Sequence, residues 1–207
     1  MQSPTEWDQA QLKRAVRYLA GTPRVVQRFA AQAVPKHLVV YSDSDHAGCI
    51  KTRKSTSGVC IFYGKHLIRS GSTTQGVIAL SSGEAEFYAM VKGTSAGLGI
   101  EALLRDLGAP STHPLQVTVD ATAGIGIASR KGAGRIRHIA TPTLWLQRMV
   151  NDGTIVVSKV PGPQNPADMG TKPLDGGSLV RALERCGFRL AQGQSKLALR
   201  AALDAQR

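Results

Sequence analysis

Acidic residues are scarce in this chain of 207 residues, where 14 Asp and Glu stand against 26 Lys and Arg for a formal charge of +12. An imbalance of that size bears on partners rather than on fold, and it points to a polyanion, with nucleic acid as the commonest. Cysteine is also sparse. Cys49, Cys60 and Cys186 are odd in number and lack CxxC or CxxxxH spacing, which argues against a disulfide framework or a zinc site and for a reducing, intracellular compartment. No apolar run approaches the roughly 20 residues needed to span a bilayer. The opening "MQSPTEWDQ" is neither basic nor apolar enough for a signal peptide, so a soluble protein with no visible targeting signal is expected. Aromatic residues are only 5% of the chain, and Trp145, Tyr41 and Phe62 are assigned to the core rather than to base stacking. Disorder is excluded by a 42% hydrophobic fraction and by apolar runs punctuated with Gly and Pro.

What is present reads as an α/β chain. Thr5 can cap a helix through "EWDQAQLKRAVRYLAG", with Leu12, Val16 and Leu19 on one face. After a short basic linker, "HLVVYSDSD", "SGVCIFYG" and "HLIRSGST" read as three consecutive strands, the last two joined by a turn at Gly64-Lys65. Ser81 and Glu84 fit the S-x-x-E capping box and open a helix that extends toward Gly108. "PLQVTVD" comes next as a buried strand, "TAGIGIAS" as a short helix running into a basic glycine-rich loop, and "TPTLWLQRMVNDG" as another helix. "TIVVSKVPG" is a fifth strand; Asn165 as cap with Pro166 at the first position starts a further helix, and "GSLVRALERCGFRL" is a last amphipathic stretch before a basic tail. Strands succeeded by alternating helices predict a mixed sheet covered by helices.

Because acids are few, each one can be placed. Asp8, Glu101, Asp106, Asp152, Asp175, Glu184 and Asp204 fall on helix faces, ends or loops and read as solvated surface. Six others sit where α/β sheets gather their sites: Asp43 or Asp45 at the end of the first predicted strand, Glu84 or Glu86 at a helix start, Asp120 at a strand end, and Asp168 in a late first turn. Residues two apart on a helix point about 200° from one another, so Glu84 and Glu86 cannot face one ion. If Glu84 closes the capping box, Glu86 is free to face the sheet edge. Asp43 and Asp45 share a strand face, and spacing does not choose between them. Grouped carboxylates repel unless a hard cation neutralises them, and Mg²⁺, taking oxygen ligands, is the expected cation. Two such ions roughly 3.5–4 Å apart suit phosphodiester hydrolysis. A basic domain holding a carboxylate cluster therefore reads as a nuclease.

The blocks "YSDSDHAGC", "RKSTSGVCIFYG", "ALSSGEAEFYA", "LLRDLG", "VTVD", "RHI" and "NPADMGTKPL" resemble, in order and spacing, the ribonuclease H domain of copia-type retrotransposon Pol polyproteins, and the resemblance runs from about Ser3 to Leu174. It implies a ribonuclease H-like, mixed five-stranded sheet, in which a three-strand antiparallel meander and two further strands are covered by helices. It divides the chain into the end of a reverse transcriptase region over 1–34, a ribonuclease H-like domain over 35–174 and a helical tail over 175–207. It implies hydrolysis of the RNA strand of RNA–DNA hybrids with two Mg²⁺ ions, which Mn²⁺ can replace, beside the reverse transcriptase domain of the same polyprotein, in a cytoplasmic particle or the nucleus. The family's metal-binding acids fall on Asp43, Glu86, Asp120 and Asp168, and no histidine is needed as base, which leaves His138 a local structural role or one near the substrate. Arg53, Lys54, Arg130, Lys131, Arg135 and Arg137 are candidate phosphate contacts. Ala121, Ala140 and Pro142 depart from the family pattern without removing a ligand. Two other readings are a catalytically decayed module that only binds nucleic acid, and a related two-metal enzyme of the integrase or resolvase kind.

Overall fold

The computed structural model describes residues 4–21, 24–109, 114–132, 134 and 144–191. In chain order these form α1 (Glu6–Gly21), β1 (Val25–Gln27), β2 (Leu38–Ser44), β3 (Thr56–Tyr63), β4 (His66–Thr74), α2 (Ser82–Asp106), β5 (Leu115–Val119), α3 (Thr122–Ser129), α4 (Trp145–Asn151), β6 (Ile155–Lys159), α5 (Gly176–Arg185) and β7 (Phe188–Leu190). The chain divides into two compact units, Ala30–Cys186 and a smaller one made of Met1–Phe29 with Gly187–Arg207.

In the larger unit the strands lie in the order β4-β3-β2-β5-β6. β2, β3 and β4 are an antiparallel meander, whereas β5 runs parallel to β2 and β6 parallel to β5. This is the mixed five-stranded sheet of ribonuclease H type that the sequence leads one to expect. The hairpin turn falls at Gly64-Lys65, as the sequence predicts: Gly64 has φ +61, and the Gln32 side chain closes the turn by donating to Tyr63 O and accepting from Lys65 N.

α2 covers one face of the sheet. Val40 and Ile61 on the strands and Phe87 and Met90 on the helix are all fully buried there, with Leu115 and Val117 beside them. Small residues set the approach. A Cβ at Gly97 would lie 2.6 Å from Val40 Cγ2 and one at Gly93 3.0 Å from Val40 Cγ1, so the glycines that weaken this helix by propensity let it press onto β2. On the opposite face Asp43 pairs with Gly58, and a Cβ there would meet Ala167 O at 2.4 Å. The 166–171 segment packs into that gap, and Cys60, two residues along β3, donates its thiol to Pro166 O at 3.7 Å.

Two elements differ from the sequence reading. Asn165 does cap, its side chain accepting from Ala167 N, but the segment it caps is a single 3-10 turn, Pro166–Gly170, rather than an α-helix. Gly170 and Pro173 come too soon for another turn to form. In the smaller unit, the basic linker and the end of the last amphipathic stretch contribute β1 and β7, which pair antiparallel with Val26 opposite Arg189. Three-residue strands carry too little alternation to be recognised in a sequence. α1 forms as expected, and its Leu12, Val16 and Leu19 are exposed.

Candidate metal centre

Parallel pairing of β2 with β5 puts the carboxyl ends of both strands on one sheet edge, Asp43 near the end of β2 and Asp120 just beyond β5. The start of α2 comes to the same edge. Ser81 caps it, accepting from Glu84 N at 3.2 Å, and the Glu84 carboxylate turns back to accept from Leu80 N at 3.0 Å. Glu84 is thereby committed to the helix start, and it is itself buried. Glu86 points elsewhere. One carboxylate oxygen each from Asp43, Glu86 and Asp120 lie within 4.8 Å of one another.

Asp168 is placed beside this group rather than among its three members. Lys172 Nζ stands 3.1 Å from Asp168 Oδ1 and 3.8 Å from Asp43 Oδ2, so a single ammonium joins the two aspartates. Thr171 donates its hydroxyl to Asp43 Oδ2. Asn165 holds the turn that carries both residues, its amide donating to Ser42 O next to Asp43 at 3.0 Å. Sequence reasoning missed both Thr171 and Lys172, although the i,i+4 spacing of Lys172 to Asp168 is a legible pairing signal. Gly162 backs Asp120; a Cβ there would stand 3.2 Å from its Oδ2.

Asp45 serves another purpose. Its carboxylate accepts from Thr56 N and so closes the loop between β2 and β3, where Ala47 and Arg53 take positive φ. Of the candidate phosphate contacts, Arg53 is exposed in that loop and Lys54 half-buried, while Arg130 and Lys131 lie just beyond the end of α3. Arg135, Arg137 and His138 lie outside the described residues.

The electrostatics are those of acids crowded away from water. Burial pushes the Glu86 carboxyl up to about 8, with the charges of Asp43 and Asp120 adding to the rise and the Ser44 N–H opposing it. Asp43 is raised to about 6, again chiefly by burial; the Thr171 hydroxyl and Lys172 oppose, while Asp168 and Asp120 push upward. Among the described residues, Glu86 Oε2 is buried without a hydrogen-bond partner. Hard oxygen donors drawn this close, one of them orphaned, fit a small divalent cation such as Mg²⁺ or Mn²⁺.

The chain is 34% identical over 175 residues to the retrovirus-related Pol polyprotein from transposon RE1 of Arabidopsis thaliana, and 33% identical over the same length to that from transposon RE2. Each alignment covers 84% of this chain, which spans only 12% of the length of either relative. Among solved structures, LC11-RNase H1, isolated from compost by a metagenomic approach, superposes with a TM-score of 0.48 at 15% identity, over 66% of this chain and 93% of that one. No family model matches the chain.

Proposed function

Because the chain belongs to the retrovirus-related Pol polyproteins of transposons, as a segment of them, we propose that its Ala30–Cys186 unit is a Mg²⁺-dependent endoribonuclease of the copia type that hydrolyses the RNA strand of RNA–DNA hybrids during reverse transcription. The observation that carries this reading is the meeting of Asp43, Glu86 and Asp120 within 4.8 Å at one sheet edge, in a chain of net charge +12. The reverse transcriptase domain of the same polyprotein is its proposed partner, inside the cell, in a cytoplasmic particle or the nucleus.

Glu86 and Asp120 hold one side of the centre. Asp43 stands between that side and Asp168, with the Thr171 hydroxyl donating to its carboxylate and Lys172 Nζ 3.8 Å from it. Bound to these carboxylates, a pair of Mg²⁺ ions supplies the Lewis acidity that activates water and stabilises the leaving oxygen of a phosphodiester. The protein's own part is to hold the acids in register on rigid elements. Arg53, Lys54, Arg130 and Lys131 are proposed to grip phosphates, with the hybrid recognised through its backbone shape and 2′-OH groups. Arg53 and Lys54 lie on the loop that leaves β2 beside Asp43, whereas α3, about 12 Å long at 1.5 Å per residue, carries Arg130 and Lys131 away from Asp120.

The test is incubation with Mg²⁺ and an end-labelled hybrid. Internal cuts confined to the RNA strand are expected. Asp43→Asn and Glu86→Gln should each slow cleavage by more than about a hundredfold, the upper end of the cost of losing a mere outer-shell partner. Hybrid binding without cleavage by the unaltered protein would identify a decayed binding module instead. Cleavage of duplex DNA would point to an integrase- or resolvase-like enzyme.

A further inference from the structure

On the face of the sheet away from α2, two thiols meet. Cys60 lies in the middle of β3 and Cys186 directly follows α5; both belong to the Ala30–Cys186 unit, both are free, and they are 3% and 1% exposed. The single S–H of Cys60 has two acceptors in reach, Pro166 O at 3.7 Å and the Cys186 sulfur. The hydrogen bond to Cys186 pushes the Cys60 thiol above its ordinary range and draws the Cys186 thiol below it, so Cys186 is the member of the pair that ionises first. Cys49 stands apart, half-buried in the loop between β2 and β3 and hydrogen-bonded to Thr52. The mounting of α5 gives the pair its consequence. Every residue of that helix is exposed or half-buried, whereas Cys186, just past its end, is buried. The last turn is otherwise fixed by Arg185, whose guanidinium donates to Pro163 O, and by Cys186 N, which donates to Leu183 O at 3.0 Å. An element seated this shallowly opens locally at a lower free energy than the core does, and such opening admits a small oxidant to sulfurs that are otherwise covered.

We propose that Cys60 and Cys186 form a modification site, a dithiol that hydrogen peroxide converts to a disulfide, and that this bond locks the end of α5 onto β3. The site goes beyond the nuclease reading and does not depend on it. Two sulfurs already in contact need only small side-chain rotations to bond. The Cys186 thiolate attacks peroxide; an S–O bond forms, the O–O bond breaks and hydroxide leaves, taking up the proton that Cys186 released. The Cys60 sulfur then attacks the Cys186 sulfur of the sulfenic acid, so that an S–S bond forms and the S–O bond breaks, and the departing hydroxide takes the Cys60 proton as water. In sum two thiols are oxidised and one peroxide is reduced to two waters. The bond withdraws the S–H that Cys60 offers to Pro166 O and replaces a thiol contact by a covalent tie. It also closes a loop of more than about a hundred residues, for which the loss of unfolded-chain entropy is near its upper end. In a reducing compartment the pair stays a dithiol, and the tie forms only under peroxide.

The test is treatment of the full, folded chain with hydrogen peroxide, followed by alkylation of the remaining thiols, proteolysis without reductant and mass spectrometry. A peptide pair joined through Cys60 and Cys186, lighter by two hydrogens, is expected in the unaltered protein and equally in Cys49→Ser, which removes the third thiol. The melting temperature of both should rise by about 5 °C or more on oxidation, and dithiothreitol should reverse the link and the rise together. Cys186→Ser and Cys60→Ser should show no such rise; the mapping in the unaltered protein and in Cys49→Ser decides the matter even where one of these variants does not fold. Cys60 and Cys186 still open to alkylation after peroxide, a link that forms only once the chain is denatured, or a link made to Cys49 instead would overturn the site. A Cys60–Cys186 link that leaves the melting temperature unchanged or lowers it would overturn the lock on α5.

Discussion

At the scale of single residues, the centre is held together at a cost that depends on pH. Glu86 ionises near 8 in the fold against an ordinary 4.5, and Asp43 near 6 against 3.8. Between those limits the folded state keeps protons that the unfolded chain has released, so the number bound is larger in the native state and stability falls as pH rises. Below about 4 both states are protonated and the effect vanishes; above about 8 both are ionised and the loss is complete. In a chelating buffer the melting temperature should therefore decline from pH 5 to pH 8, with a slope of at most about 1.4 kcal/mol per pH unit for each retained proton. Glu86→Gln should flatten the upper part of that decline, and millimolar Mg²⁺ should reduce it by holding the carboxylates ionised. A melting temperature that rises across the same range, without metal, would contradict the burial of these acids. The same scale shows how far spacing can go with neighbouring acids. Helical periodicity separates Glu84 from Glu86, since Ser81 fixes the helix start. Strand periodicity cannot separate Asp43 from Asp45, because it gives both the same face; the hydrogen bond from Thr56 N to Asp45 does so.

Elements position these residues through close backbone approaches. Gly58 is the strand position opposite Asp43, and the 166–171 turn fills the space a side chain would take. Gly58→Ala should destabilise the fold by about 1–3 kcal/mol, read from denaturant midpoints, and should also weaken metal binding because it displaces the turn bearing Asp168, Thr171 and Lys172. Gly97→Ala is the comparison. Its Cβ would press on Val40 and Leu115 in the core, so it should lower stability by a similar amount while leaving metal affinity within about twofold. Most elements are legible because periodicity and caps agree in this chain: the meander, α2 with its capping box, and β5 and β6 as short apolar runs. The Asn165 turn is half legible. Its cap, Pro166 and the Gly170 and Pro173 that cut it short are plain in the sequence, but its docking onto β3 and β2 is not.

For the molecule as a whole, the charge of +12 would make the proposed binding of a hybrid dependent on salt. If Arg53, Lys54, Arg130 and Lys131 all meet phosphates, the logarithm of the binding constant should fall with a slope of about −3 against the logarithm of salt concentration, a loss of roughly a hundredfold from 50 to 200 mM. Lys131→Ala should make that slope shallower by a little under one unit, as titration by fluorescence anisotropy would show. An unchanged slope would remove Lys131 from the interface. The smaller unit is assembled differently. Its strands β1 and β7 come from near the two ends of the described chain, so tertiary pairing, and no local signal, brings them together.

By itself the sequence determined most of the elements and which acids lie at strand ends and helix starts, because propensity, capping and period 2 or 3.6 are local properties of the chain. Only the tertiary structure decided that Asp43, Glu86 and Asp120 meet while Lys172 joins Asp168 to Asp43, and that Asp45 closes a loop instead of joining them. Those outcomes depend on strand order, on the glycines that let α2 and the 166–171 turn approach the sheet, and on burial, which acts between residues far apart in the chain.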